Sequence, residues 1–323
     1  MTTIPEVRDA AVAEAAARGV VAEAAVAEAE RLGLAEPAEV LEWALGTFGD
    51  RFAVVTALQV EGMVVLDLAR RIDPDVRAVT IDTGRLPEET FEAIDTVRAR
   101  LGVAIEVVMP DPDRVAAMVG RHGVNLFRRD QALRRLCCHV RKVEPLDRVL
   151  AGVDAWATGV RRDGGAARAG TRVVEVDRAH GGIVKVNPLA NWTRERALAY
   201  AREHGLPMHP LYARGYTSIG CAPCTRAPRE GEGERAGRWW WEAGEDRECG
   251  LHHASPSERF DAALAELDAD LDAGAELDAD VDGRPEAGPE AGPDTGPDEN
   301  QEQPSLQPGG GRRRRRRQGG GGG

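Results

Sequence analysis

Residues 52–84 read FAVVTALQVEGMVVLDLARRIDPDVRAVTIDTG. The run Phe52–Val55 is apolar at every position and closes on Thr56. Met63–Arg71 then places apolar residues at helical spacing, and Arg77–Ile81 is a second β-branched run, ending in Asp82-Thr83-Gly84. Short apolar runs bounded by turn residues read as strands buried on both faces, and a helix between two of them makes a βαβ unit. The pattern continues outward. Pro87–Leu101 reads as a helix with proline in its first turn, Val103–Val108 as a third strand, and Ala155–Thr158, followed by Gly159, as another. Helical patterns also cover 8–31, Pro37–Phe48 and 187–204, the last capped by Asn191 or Thr193, and a helix carrying QALRRLCCHVRKVEPL is expected to end near Pro145.

The expected fold class is therefore α/β, a parallel sheet with helices on both faces. Ligands of such sheets sit beyond the carboxyl ends of the strands, so the loops after Thr56, Ile81 and Thr158 form one candidate crevice. That makes Asp82 and the pair Arg161-Arg162 candidate contacts.

Composition divides the 323 residues into unlike parts. The expected organisation is an N-terminal helical segment (1–48), an α/β domain with a cysteine-bearing C-terminal segment (49–256), and a low-complexity tail without structure (257–323). The tail holds the acidic run DADLDAGAELDADVDGRPEAGPEAGPD and ends GGGRRRRRRQGGGGG, too poor in large apolar side chains to offset its ordering entropy. Much of the net charge of −12 lies there. Global acidity argues against nucleic-acid binding by the folded part, but not against a local cationic pocket for a small anion. No stretch approaches the roughly 18 apolar residues of a membrane span, so a cytoplasmic protein with no membrane partner is expected. A homo-oligomer stays open.

Five cysteines in an intracellular chain point to ligands or redox groups. Cys137-Cys138 and Cys221-x-x-Cys224 make a set of four. Successive helical positions point about 100° apart, so adjacent cysteines share one centre only if it is large or the helix is strained there. An iron–sulfur cube offers separate corners and suits this better than one Zn²⁺, although structural zinc stays open on spacing alone. Cys249, in DRECGLHH, stands outside the set. Arg247, His252 and His253 near it would favour thiolate, which makes it a candidate nucleophile.

The segments IDTGRLPEET, CCHVRKVEPL, TGVRR, SIGCAPCTR, RAGRWWW and ECGLH, in this order, resemble the assimilatory adenylylsulfate reductases, the cluster-containing branch of the phosphoadenylylsulfate reductase family. The resemblance runs from about Phe52 to His252. It implies a fold of the adenine nucleotide α-hydrolase (PP-loop) type and a [4Fe–4S] cluster on Cys137, Cys138, Cys221 and Cys224. It further implies Cys249 as nucleophile, Lys142, Arg235 and Arg238 on the phosphosulfate, and thioredoxin as reductant. The activity implied is reduction of adenosine 5′-phosphosulfate to sulfite and AMP through a cysteine thiosulfonate. Fixed cations suit such a substrate, because arginine contacts adjacent anionic oxygens in pairs. Trp239-Trp240-Trp241 reads as core packing or a docking surface. Two loops depart from the family. The first reads Thr56-Ala-Leu-Gln-Val-Glu-Gly62 where many members are serine-rich, leaving Thr56 and Gln59 as its candidate contacts. The second is Asp163-Gly-Gly-Ala-Ala-Arg168, which lacks the usual polar side chains. Two rivals remain: the same reaction on 3′-phosphoadenosine 5′-phosphosulfate and a non-catalytic nucleotide-binding iron–sulfur redox sensor; a PP-loop ATP pyrophosphatase would want a Ser-Gly-Gly-x-Asp-Ser loop, which Thr56–Gly62 lacks.

Overall fold

The structure is a computed structural model, and it describes residues 18–31, 33–242 and 260–269. All of these fall in one compact unit, Met1–Ala279. Cys249 and the tail beyond 269 lie outside the described residues.

After helix α1 (18–31) come α2 (Pro37–Phe48), β1 (Phe52–Val55), α3 (Val60–Ile72), β2 (Ala78–Ile81), α4 (Glu88–Leu101) and β3 (Ile105–Val108). Next are α5 (Pro112–His122), α6 (Gln131–Cys138), α7 (Glu144–Leu150) and β4 (Ala155–Ala157). β5 (Val174–Asp177), β6 (Ile183–Val186), α8 (Arg194–Glu203) and a helix over 260–269 (α9) complete the described elements. The six strands lie in the order β3-β2-β1-β4-β6-β5. All neighbours pair in parallel except β5 with β6. The expected α/β class is the observed one. The antiparallel edge hairpin was not legible, because its strands are short and carry Glu175, Asp177 and Lys185 among their apolar residues.

The main core joins β1 and β4 to α3 and to the N-terminal helices: Ala22, Val26, Val40 and Leu41 are buried in the same apolar cluster as Phe52, Leu66 and Val186. A second cluster holds Leu136, Cys137, Cys138, Cys224 and Trp239, together with Ala263 and Leu267 of α9. The expectation of no structure from 257 onward therefore fails at 260–269. Phe260, Ala263, Leu264 and Leu267 fall at i, i+3, i+4 and i+7, an apolar stripe too short to stand out from its acidic surroundings.

The cysteine-bearing helix does not end near Pro145. It continues through one π-helical turn, His139–Val143, directly into α7. Proline lacks an N–H and crowds the carbonyl four residues back, and a widened turn accommodates both defects without breaking the rod. The strain anticipated beside the adjacent cysteines thus falls immediately after Cys138. At α8 the cap is Thr193, whose hydroxyl accepts from Arg196 N–H at 3.2 Å.

Candidate active site

Strand order reverses between β1 and β4, so the loops leaving these strands diverge and open a crevice at their carboxyl ends. One cleft there is lined by both loops and by Lys142, Ser218, Arg235 and Arg238. An adjoining cleft is walled by Ile81, Leu86, Leu146 and Trp156, with Thr80, Thr83 and Thr90. Val55, Thr56, Ala57, Lys142, Thr158 and Ile219 border both, which makes one crevice with a cationic arm and a more apolar arm.

Glycines shape the floor. A β-carbon at Gly62 would overlap the Thr56 hydroxyl, and one at Gly159 would press on Glu61 and the Gly62 amide. Thr56 Oγ1 accepts from Leu58 N–H at 3.0 Å, and Leu58 is held at φ 57°. Gln59, the N-cap residue of α3, accepts from Ile219 N–H at 2.8 Å, tying the loop to the segment before the Cys-x-x-Cys. Among the described residues Trp239 is the other non-glycine residue with positive φ. Trp239 lines the crevice, and Leu58 is buried in the core between the lining residues Ala57 and Gln59, where a packed surround can sustain the cost of both.

The cationic candidates divide by their partners. Lys142 borders both clefts. Arg238 is buried, stacks on the Trp239 ring at 4.5 Å and donates through Nη1 to Ile219 O at 3.3 Å, while its Nε has no partner. Arg235 lines the cationic arm. It belongs with Arg238 to a turn closed by Arg238 N–H on Arg235 O at 2.9 Å, not to a helix. Arg161 also borders the cleft, but its guanidinium, 2% exposed, donates to Glu61 at 2.9 Å, to Glu234 at 3.2 Å and to Asp163. Arg162 is not among the lining residues: it donates to Thr171 O at 2.7 Å and to Asn191. Asp82 is likewise absent from the lining, and its carboxylate accepts Gly84 N–H at 2.8 Å to shape the turn after β2. These two placements depart from the expectation, because a strand-end position does not fix where a side chain turns.

Several contributors were not read from the sequence. Arg168 lines the cationic arm from the divergent loop. Arg141 Nη1 donates to Thr83 O at 2.7 Å and ties the π turn to the end of β2. Glu61 and Glu234 are acidic partners of Arg161 beside the nearby Asp163, and no local signal announces them.

The four cysteines come together. Cys137, Cys138 and Cys224 are buried in one apolar layer with Cys221 packed against it, and all four are free thiols. The Cys-x-x-Cys segment is pinned by Ala222 N–H on Arg85 O at 2.8 Å and by the contact of Thr83 Oγ1 with Cys221 Sγ at 3.2 Å. Burial alone would push the Cys221 thiol up, but Lys142, the Thr83 hydroxyl, Arg238 and Arg141 together hold it below the usual thiol range. Burial raises Cys137, with Arg141 opposing, and pushes Cys224 up to about 12. Among the described residues no three His, Cys, Asp or Glu side chains are grouped to hold a single metal ion. The donor set fits a larger, thiolate-ligated anionic group: four soft ligands at separate points, cations around them, and the buried donors Arg141 Nε, Arg238 Nε and Trp239 Nε1 without partners. The three tryptophans serve packing. Trp239 is buried, and Arg128 lies over Trp240 and Trp241 at 5.9 and 5.3 Å.

Residues 51–227 match the family model of the phosphoadenosine phosphosulfate reductase domain. The chain belongs to this family. An adenosine 5′-phosphosulfate reductase of Allochromatium vinosum is 45% identical over 221 residues, which is 68% of this chain and 86% of that protein. One of Streptomyces coelicolor is 46% identical over 215 residues, 66% of this chain and 87% of that protein. The crystal structure of a phosphoadenylyl-sulfate reductase from Candida auris, in complex with phosphate, superposes with a TM-score of 0.53 at 29% identity, covering 62% of this chain and 95% of that one. The chain is thus an oxidoreductase of the phosphoadenosine phosphosulfate reductase domain family. No helix among its described residues is long and apolar enough to cross a membrane.

Proposed function

We propose that the chain reduces adenosine 5′-phosphosulfate to sulfite and AMP, with thioredoxin as the electron donor. The observation that carries this reading is the position of Lys142. It borders both arms of the crevice and acts electrostatically on Cys137, Cys221 and Cys224. A phosphosulfate in the cationic arm would lie between Lys142, Arg235 and Arg238, with the nucleoside in the apolar arm. The names of the relatives at 45–46% identity support this substrate.

Cys249 is the proposed nucleophile. Its thiolate attacks the sulfur of the sulfonyl group, an S–S bond forms, and the S–O bond to the phosphate breaks. Lys142, Arg235 and Arg238 meet the charge that develops on the departing AMP. A thioredoxin thiolate then attacks Cys249 Sγ and displaces sulfite. The mixed disulfide is resolved by the second thioredoxin thiol, so thioredoxin supplies the two electrons. Cys137, Cys138, Cys221 and Cys224 would hold a [4Fe–4S] cluster, which when bound supplies a fixed field beside the sulfonyl group without changing redox state. The Nε groups of Arg141 and Arg238 are buried without partners, and Arg161 pairs with Glu61 and Glu234.

The test is sulfite release by anaerobically purified protein with thioredoxin, comparing the two nucleotides. Turnover of adenosine 5′-phosphosulfate alone is expected. Preference for the 3′-phosphorylated nucleotide, the substrate named for the Candida auris structure, would move the assignment to the other branch. Nucleotide binding without sulfite would point to a sensor.

A further inference from the structure

Helix α9 lies in a stretch whose composition resembles linker, yet it is seated on the cysteine layer. Leu267 is 0% exposed and Ala263 8%, and both share one apolar cluster with Cys137, Cys138 and Cys224. Phe260 meets the His139 ring edge-on at 5.5 Å. The polar side of α9 is fastened as well. Asp268 pairs with Arg114 at 2.6 Å, and Arg114 in turn grips Glu144 through two nitrogens, at 2.6 and 3.0 Å. Glu266 pairs with Arg121 at 3.1 Å. His139 opens the π turn and Glu144 closes onto it, so α9 holds both ends of the strained turn that follows Cys138.

We propose that α9 is a brace and cover for the cysteine layer: it fixes the π turn that aims Cys137 and Cys138, and it keeps solvent and oxidants from the thiolates and from what they hold. A docked amphipathic helix in such a sequence needs a specific return, because isolated short helices are unstable in water. Here the buried stripe falls over the one apolar layer that contains all four paired cysteines. Leu267 and Arg114 are positioning residues acting through the π turn. The inference rests on the reading that the four thiolates hold an iron–sulfur cluster.

The experiment compares the full chain, purified anaerobically, with Leu267→Asp, Arg121→Glu, Glu266→Arg and the double charge swap. Three readouts are taken: loss of visible absorption and iron on exposure to air, native-state iodoacetamide labelling of Cys137 and Cys138 mapped by peptide mass, and thermal unfolding. Leu267→Asp should speed bleaching and labelling by about tenfold or more, since it forbids burial of the stripe and favours local opening. Each single charge reversal should have a smaller effect, about twofold for an exposed pair, and the double swap should restore the full-chain rates. Unchanged bleaching and labelling in a folded Leu267→Asp protein would overturn the proposal. Where that variant does not fold, additive effects of the two reversals instead of rescue would overturn it. A full chain that carries no iron would refute the cluster reading alone, and the labelling rates would then decide the brace.

Discussion

Gly62 lies directly against Thr56, and a β-carbon at position 62 would overlap the Thr56 hydroxyl oxygen. The contact sets the first turn of α3 against the end of β1, at a residue that lines both arms of the crevice. Alanine favours helix over glycine, so Gly62→Ala should not weaken α3 itself. It should displace Thr56 and raise the KM for the nucleotide about tenfold, the worth of one hydrogen bond of about 1–1.5 kcal/mol, with iron content unchanged. Steady-state kinetics give the answer, and an unchanged KM would remove Thr56 from the site.

Lys142, Arg235 and Arg238 should behave differently from Arg161. Removing any of the three takes away a charge-assisted contact of about 1.5–3 kcal/mol, so each alanine variant should lose roughly tenfold to a hundredfold in kcat/KM while remaining folded. Arg161→Ala takes from Glu61 its guanidinium partner, while Glu234 keeps Arg194 at 2.8 Å. Its first effect should be a lower Tm, because a largely buried carboxylate deprived of its ion-pair partner is costly. Equal Tm values for Arg161→Ala and Arg235→Ala would contradict this division.

Cys249 lies outside the described residues, and its role is open to a direct chemical test. Substrate added without thioredoxin should leave the protein heavier by one SO₃ group, and Cys249→Ser should form no adduct while keeping its iron. An adduct in the serine variant would reassign the nucleophile.

Any of Cys137→Ser, Cys138→Ser, Cys221→Ser and Cys224→Ser should abolish a brown colour and about four irons per chain, the content of a [4Fe–4S] cluster. Stoichiometric zinc in anaerobic preparations of the unaltered chain would refute the cluster.

His209 supplies a pH signature. It is 2% exposed, Nδ1 accepts from Leu211 N–H at 3.2 Å, and Nε2 lies 3.0 Å from the Thr90 hydroxyl beside the apolar arm. Burial lowers its pKa to about 4, with Glu89 opposing weakly. A histidine buried in the neutral form binds fewer protons folded than unfolded, so its contribution is present above the unfolded value of about 6.5 and is lost as pH falls toward 4. Thermal melts should show a drop in Tm across that window that is smaller in His209→Gln. The same slope in both proteins would assign the effect to other groups.

The order of strands and helices from Phe52 to Val108, the crevice beyond the strand ends and the four paired cysteines were all written in local pattern. Apolar runs, helical spacing and short cysteine separations are properties of neighbouring residues, and they needed no partner to be read. The sequence alone also determined that the adjacent cysteines required either a large centre or a strained helix, since the rotation per residue is fixed. What only the tertiary structure decided concerns residues far apart in the chain. Arg161 is committed to Glu61 and Glu234, Arg162 turns to Asn191, and Arg141 reaches back to Thr83. In each case two charges or polar groups meet only because the sheet brings their loops together. The helix over 260–269 is the sharpest instance. Four apolar residues among acids are too few to fold alone, and it is the exposed face of the cysteine layer, assembled from α5, α6 and the turn at Trp239, that makes their burial favourable.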